Sequence, residues 1–248
     1  MLTFKKDIAV ELKTRKFANV PGADFTLDGN FDDFLRLTRS WDSMGPDTHF
    51  GQKVQGTRTR RYSDFEYHPR TGELKQLEHR AYVQSKEHNK YVGGVERHFA
   101  DFGAEVLASP VVRSLIALDF EVYKSALPAE VHDAVWQCQI HQIRIEIQPG
   151  QEVEITPEGI HCDGYPFSGV HFWGRDNVEG AQSRLYQLDR TQVAETTYES
   201  VLDTTFFMDR EMLHYVTPAR TRDQGRPGWR QIIAISFSRP GTAYDIMR

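Results

Sequence analysis

The chain has 248 residues, with 30 Lys+Arg against 35 Asp+Glu, a formal charge of −5 and 39% hydrophobic residues. This is globular composition, which excludes a disordered or fibrous chain, and the mild acidity gives no support to nucleic-acid binding. No apolar run is long enough for a membrane helix, two Cys cannot make a disulfide scaffold, and charges interrupt the N-terminus, so a cytoplasmic protein is expected.

In chain order, the first 50 residues look helical. Ile8, Leu12 and Phe17 could share a face, and Phe31, Phe34, Leu35 and Thr38 follow i, i+3, i+4, i+7 after a possible cap at Asp28 or Asn30. From Thr57 the composition turns to strand. The segments around 57–62 and 65–67 lead into a turn at His68–Gly72 and a return strand from Glu73 to Leu77. Gly93-Gly94 marks a break. Ser109-Pro110 opens a helix carrying Val112, Leu115, Ile116, Asp119 and Val122, which Pro128 should end. Beyond Val135 short strands dominate, at 140–147, 169–173, 183–188, 204–207 and 231–238. The expected fold is mainly β with flanking helices: a double-sheet barrel or jelly roll under a helical N-terminal layer. A single domain over 1–248 is expected, with a helical layer at 1–55, hairpin and helix support at 56–130, and a β core at 131–248.

Two strands carry functional hints. In 140–147, Ile143, Ile145 and Ile147 share one face, expected to pack on helices. Gln142, Arg144 and Glu146 share the other, which lies either in solvent or along a polar cavity. In the last strand, Arg230 shares its face with Ile232, Ala234 and Ser236, as a cationic anchor at a pocket rim would.

His161-Cys162-Asp163 puts an imidazole and a carboxylate on one side of an extended segment, with Cys162 turned away. His214, before a turn at Pro218, is the best third donor. Two imidazoles and one carboxylate would leave three adjacent positions of a cation open, which is the facial triad of non-haem Fe(II) oxygenases. An isolated His-x-Asp is also a common turn or surface feature, and His171 competes as a ligand. Arg230 adds weight to the triad, because its planar fork could hold the distal carboxylate of an iron-chelating 2-oxoacid.

Together, His161-Cys162-Asp163, the His214–Pro218 segment and the Trp229–Ser238 strand resemble bacterial 2-oxoglutarate/Fe(II) dioxygenases of the isoleucine 4-hydroxylase type. His141–Arg144, Arg58–Tyr67 and Gly93–Phe99 resemble that family too. The resemblance implies a cupin-like double-stranded β-helix using Fe(II), 2-oxoglutarate and O2 to hydroxylate a free aliphatic amino acid. By this likeness His161, Asp163 and His214 ligate iron. Arg230 holds 2-oxoglutarate, with Ser236, Thr217 and Gln142 expected beside it and Arg220 as the competing anchor. For the substrate, Arg144 is the expected partner of the α-carboxylate and Glu146 of the ammonium, unless the two simply pair with each other. Arg60 and Arg97 are further candidates, and Phe167, Phe172 and Trp173 could form an apolar wall. The rival readings are a non-catalytic cupin-like binding protein, in stress or biofilm physiology, and a Zn²⁺ or Mn²⁺ hydrolase or isomerase.

Overall fold

In the computed structural model, residues 2–29, 31–47, 57–86, 89 and 93–247 are described. The N-terminal segment is mixed rather than helical: strand β1 (Leu2–Phe4), helix α1 (Ala9–Arg15), strands β2 (Phe17–Val20) and β3 (Phe25–Leu27), and helix α2 (Phe31–Arg39). Lys16, at φ 70°, turns the chain directly from α1 into β2, so Phe17 lies in a strand and not on the helical face of Leu12. Helix α2 has its expected span, and Asn30, a possible cap, lies outside the described residues.

Strands β4 (Thr57–His68) and β5 (Glu73–Gln76) form the expected hairpin, with Gly72 at φ 69° in its turn. A short helix α3 (Ala104–Leu107) precedes α4 (Pro110–Lys124), which stops four residues before Pro128. The remaining strands are β6 (Trp136–Ile147), β7 (Glu152–Val153), β8 (Phe167–Asp176), β9 (Val178–Gly180) and β10 (Ser183–Tyr186). They are followed by β11 (Gln192–Thr196), β12 (Thr204–Phe207), β13 (Leu213–Val216), β14 (Ala219–Thr221) and β15 (Gly228–Ser238).

A seven-stranded antiparallel sheet in the order β2-β12-β8-β15-β6-β4-β5 is accompanied by two three-stranded sheets, β11-β10-β13 and β7-β14-β9. This is the expected jelly roll, with β2 of the N-terminal layer added at the large sheet's edge. The outer face of the large sheet is apolar under α4: Cys138, Ile140, Ile233, Ile235 and Phe237 join Leu115, Ile116 and Phe120 in one core. The inner face lines a cavity. No helix among the described residues is long and apolar enough to cross a membrane.

The two faces of β6 are reversed from expectation. Ile143 and Ile145 line the cavity, while Gln142, Arg144 and Glu146 face the N-terminal layer. Gln142 Nε2 donates to Ser40 Oγ at 2.7 Å. Arg144 pairs with Glu146 at 2.9 Å and Asp42 at 3.5 Å, and its guanidinium lies 5.3 Å from the Trp229 ring. The polar face therefore finds partners in the covering layer and within the strand itself, and the isoleucines line the cavity.

Candidate metal centre and its cavity

His161 and His214 meet through the backbone. The His161 N–H donates to the His214 carbonyl at 3.1 Å, and the His214 N–H donates back at 2.7 Å, forming an isolated antiparallel bridge. Residues paired in this way project their side chains from the same face. The two rings are accordingly 4.3 Å apart at their centroids. Asp163, two residues after His161, returns to that face: Oδ1 is 3.7 Å from His161 Nε2 and Oδ2 is 3.7 Å from His214 Nε2. One donor atom from each of the three lies within 4.8 Å of the others.

The surroundings suit a divalent cation. His161 Nδ1 is 2.8 Å from the Gly159 carbonyl, which fixes the proton there and turns the Nε2 lone pair inward. Asp209, fully buried, ties the two ligand-bearing segments together. It accepts the Asp163 N–H at 3.0 Å and the Tyr165 N–H at 2.9 Å, and its Oδ1 is 3.4 Å from His214 Nδ1. Gln84 donates to Asp163 Oδ1 and is itself held by Asn89 and Arg97. Burial opposes charge on both ionisable partners. Even so, Asp209 and Asp163 push His214 up to about 9, and His214, His161 and Arg60 hold the Asp163 carboxyl below its usual range. Burial, with Asp209 and Asp163 nearby, pushes the Cys162 thiol up to about 12, so no thiolate competes. Two imidazoles and one carboxylate thus fit ferrous iron better than a closed thiolate site.

Arg230 lines the same cavity, 4% exposed, with its guanidinium 6.0 Å from the Phe172 ring and 5.9 Å from Tyr198. Among the described residues no carboxylate lies at ion-pair distance from it. Burial, with Arg175 and Arg58 nearby, pulls its pKa down to about 10. Ser236 also lines the cavity but cannot share Arg230's ligand: six residues along a strand span about 20 Å. Its hydroxyl instead pairs with Ser168 at 2.8 Å.

The other expected residues lie elsewhere. Thr217 Oγ1 accepts the Gln182 N–H at 2.9 Å, outside the cavity lining. Arg220 is exposed and paired with Glu179 at 3.1 Å. Gln142, Arg144 and Glu146 lie behind the sheet. Phe167 is in the outer core against Tyr123, and Trp173 stacks on Phe34 and Trp41. His171 also faces outward, 3.0 Å from both Asp119 and Thr204, which removes it as a ligand. Arg60 and Arg97 do line the cavity. Asp209, Gln84, Glu158 and Tyr198 escaped the sequence reading, because no spacing links them to the ligand motifs.

A jelly roll with two imidazoles and one carboxylate converging beside a cavity that holds a buried guanidinium has the donor set that a mononuclear non-haem iron oxygenase needs. The sequence model of the 2OG-Fe dioxygenase family matches residues 38–236, and the chain belongs to that family. It is 24% identical over 159 residues to the L-isoleucine-4-hydroxylase of Bacillus thuringiensis, a match spanning 63% of this chain and 65% of that protein, just under two thirds of its length. It is 23% identical over 246 residues to the 3(1)-hydroxy-L-isoleucine 4-dioxygenase of Pantoea ananatis (strain AJ13355), spanning 94% and 96%. The solved structure of a bsmA homolog from Methylobium petroleophilum PM1 superposes with a TM-score of 0.79 at 25% identity, covering 92% of this chain and 91% of that one. IDO from Bacillus thuringiensis shares the fold, with a TM-score of 0.77 at 17% identity over 96% and 98% of the two chains. The protein is a 2-oxoglutarate-dependent Fe(II) dioxygenase, with O2 as its oxidant.

Proposed function

We propose that the protein hydroxylates an aliphatic C–H bond of a free L-amino acid of the isoleucine, leucine or methionine type. In this reading His161, Asp163 and His214 hold the iron, and Arg230 grips the distal carboxylate of 2-oxoglutarate. One observation carries it: Arg230 is a buried guanidinium without a carboxylate partner among the described residues, in the same cavity as the triad. An uncompensated buried charge costs on the order of several kcal/mol, so this site favours an anionic ligand. The amino-acid substrate is supported by the two relatives named for isoleucine chemistry.

When bound, iron and 2-oxoglutarate supply the oxidising power: O2 is split, the keto acid becomes succinate and CO2, and one oxygen atom enters the substrate. The chain's own residues position and shield. Gln84 donates to Asp163 Oδ1 and so orients the carboxylate that would hold the metal. Asp209 fixes the Asp163 and Tyr165 backbone and orients the His214 ring. Ile143, Ile145, Leu185, Val216 and Ile232 keep water from the reacting region. The thiols of Cys138 and Cys162 are both buried and suit the cytoplasm, where the protein is proposed to work.

Succinate release and product mass, screened over the twenty amino acids, test this reading. An aliphatic amino acid should stimulate succinate release and gain one oxygen atom, and His161→Ala should abolish both. Turnover retained in His161→Ala, or stimulation by none of the twenty, would refute it.

A further inference from the structure

The cavity contains more positive charge than a 2-oxoglutarate site needs. Four guanidiniums, Arg58, Arg60, Arg97 and Arg230, line it against two carboxylates, Glu158 and Asp163, and Asp163 belongs to the metal. Arg60 and Arg97 form a pair away from Arg230's strand. Arg60 is 8% exposed and Arg97 1%. The Tyr82 ring lies 5.3 Å from the Arg60 guanidinium and 4.8 Å from that of Arg97, and Phe99 lies 4.4 Å from Arg60. Neither has a carboxylate at ion-pair distance among the described residues. Arg60 donates to His141 Nδ1 at 3.2 Å from Nε and 2.9 Å from a terminal nitrogen. Arg97 donates to Gln84 Oε1, and its Nε is buried with no partner. Burial, with the Arg60 charge nearby, pulls Arg97 below its ordinary value, and two guanidiniums lining one cavity suit an anion.

Glu158 is the complement. Its Oε1 is 3.6 Å from His161 Nε2, with the side chain 11% exposed, and its Oε2 is buried with no hydrogen-bond partner. It nevertheless falls outside the cluster of convergent metal donors. A carboxylate lining the cavity beside His161 with an unused acceptor suits a compact cation carrying several N–H donors. A guanidinium pair and a carboxylate lining one cavity with aliphatic side chains match the two charges and the side chain of an amino-acid zwitterion.

Resting on the amino-acid reading above, we propose that Arg60 and Arg97 bind the substrate's α-carboxylate and Glu158 receives its α-ammonium, so that the cavity selects zwitterions. Arg144 and Glu146, the pair expected from the strand pattern, have no part in this.

The test uses the anaerobic Fe(II)·2-oxoglutarate protein, followed by its visible charge-transfer band and by calorimetry. The probes are L-isoleucine, 3-methylpentanoate (no amine) and L-isoleucinol (no carboxylate). Wild type should bind L-isoleucine at least tenfold more tightly than either analogue. Glu158→Gln, close in shape to the native residue, should weaken L-isoleucine at least tenfold, leave 3-methylpentanoate unchanged, and keep iron content and 2-oxoglutarate affinity. Arg60→Gln should weaken L-isoleucine and 3-methylpentanoate but not L-isoleucinol. Equal binding of the three probes by wild type overturns the proposal without any variant. So does a Glu158→Gln protein that loses iron, which would make Glu158 a metal ligand, or one that binds L-isoleucine normally. A wild type that gives no charge-transfer band refutes the 2-oxoglutarate site instead. A band with no response to any amino acid refutes the amino-acid reading itself, whereas a response to L-isoleucine that both analogues match refutes zwitterion recognition alone.

Discussion

Among single residues, His141 shows how cavity charge reaches stability. It lies beneath Tyr62, with ring centroids 4.7 Å apart, and accepts from Arg60. Burial, then the charges of Arg60 and Arg97, hold it well below its ordinary 6.5. The folded state therefore leaves it neutral, while the unfolded chain binds a proton below about pH 6.5, so stability falls as the pH drops through that range. Because His214, pushed up to about 9, gains stability over the same range, the test is the difference between proteins: in urea midpoints of iron-free protein at pH 7.5 and 5.5, wild type should fall relative to His141→Gln. An equal loss in the variant would move the effect to another group. Residue identity was partly legible in the sequence. The types at 161, 163 and 214 were readable as metal donors because their chemistry is local to each side chain. Asp209 was not, since its value lies in touching two segments that are distant along the chain.

For the elements, alternation was readable and facing was not. On β15 the face of Arg230, Ile232, Ala234 and Ser236 is the cavity face, as its pattern suggested. On β6 the same reasoning chose the wrong side. Period-two patterning separates two faces but does not say what covers each. Here Ser40 and Asp42, about a hundred residues earlier, supply polar partners to Gln142 and Arg144 and make a polar outer face affordable. Helix α4 is fixed to β8 by a buried pair, Asp119 with His171 at 3.0 Å, directly over Gly169. A Cβ at residue 169 would meet Asp119 Oδ2 well inside contact distance. Gly169→Ala should thus destabilise the protein by about 1–3 kcal/mol, seen as a lower urea midpoint with an unchanged slope. A neutral result would mean that α4 shifts freely on the sheet.

For the whole molecule, the jelly roll brings the His161–Asp163 segment, β13, β15 and β4 around one volume, and binding there should stabilise the entire fold. At a hundred times its dissociation constant a ligand adds about 2.7 kcal/mol. Thermal melts under anaerobic Fe(II) should rise, and rise again with 2-oxoglutarate. Arg230→Ala should keep the first increment and lose the second, and His161→Ala should lose both. A second increment that survived in Arg230→Ala would assign the distal carboxylate elsewhere. The sequence by itself determined the β-rich class, most strand positions, the metal donors' chemistry and the guanidinium facing the cavity, because these follow from side-chain type and backbone period. Only the tertiary structure decided which face of β6 looks inward, that Phe17 joins a sheet, and that Arg60, Arg97 and Glu158 line one cavity. Those outcomes depend on what packs against each surface, and that is set by contacts between segments far apart in the chain.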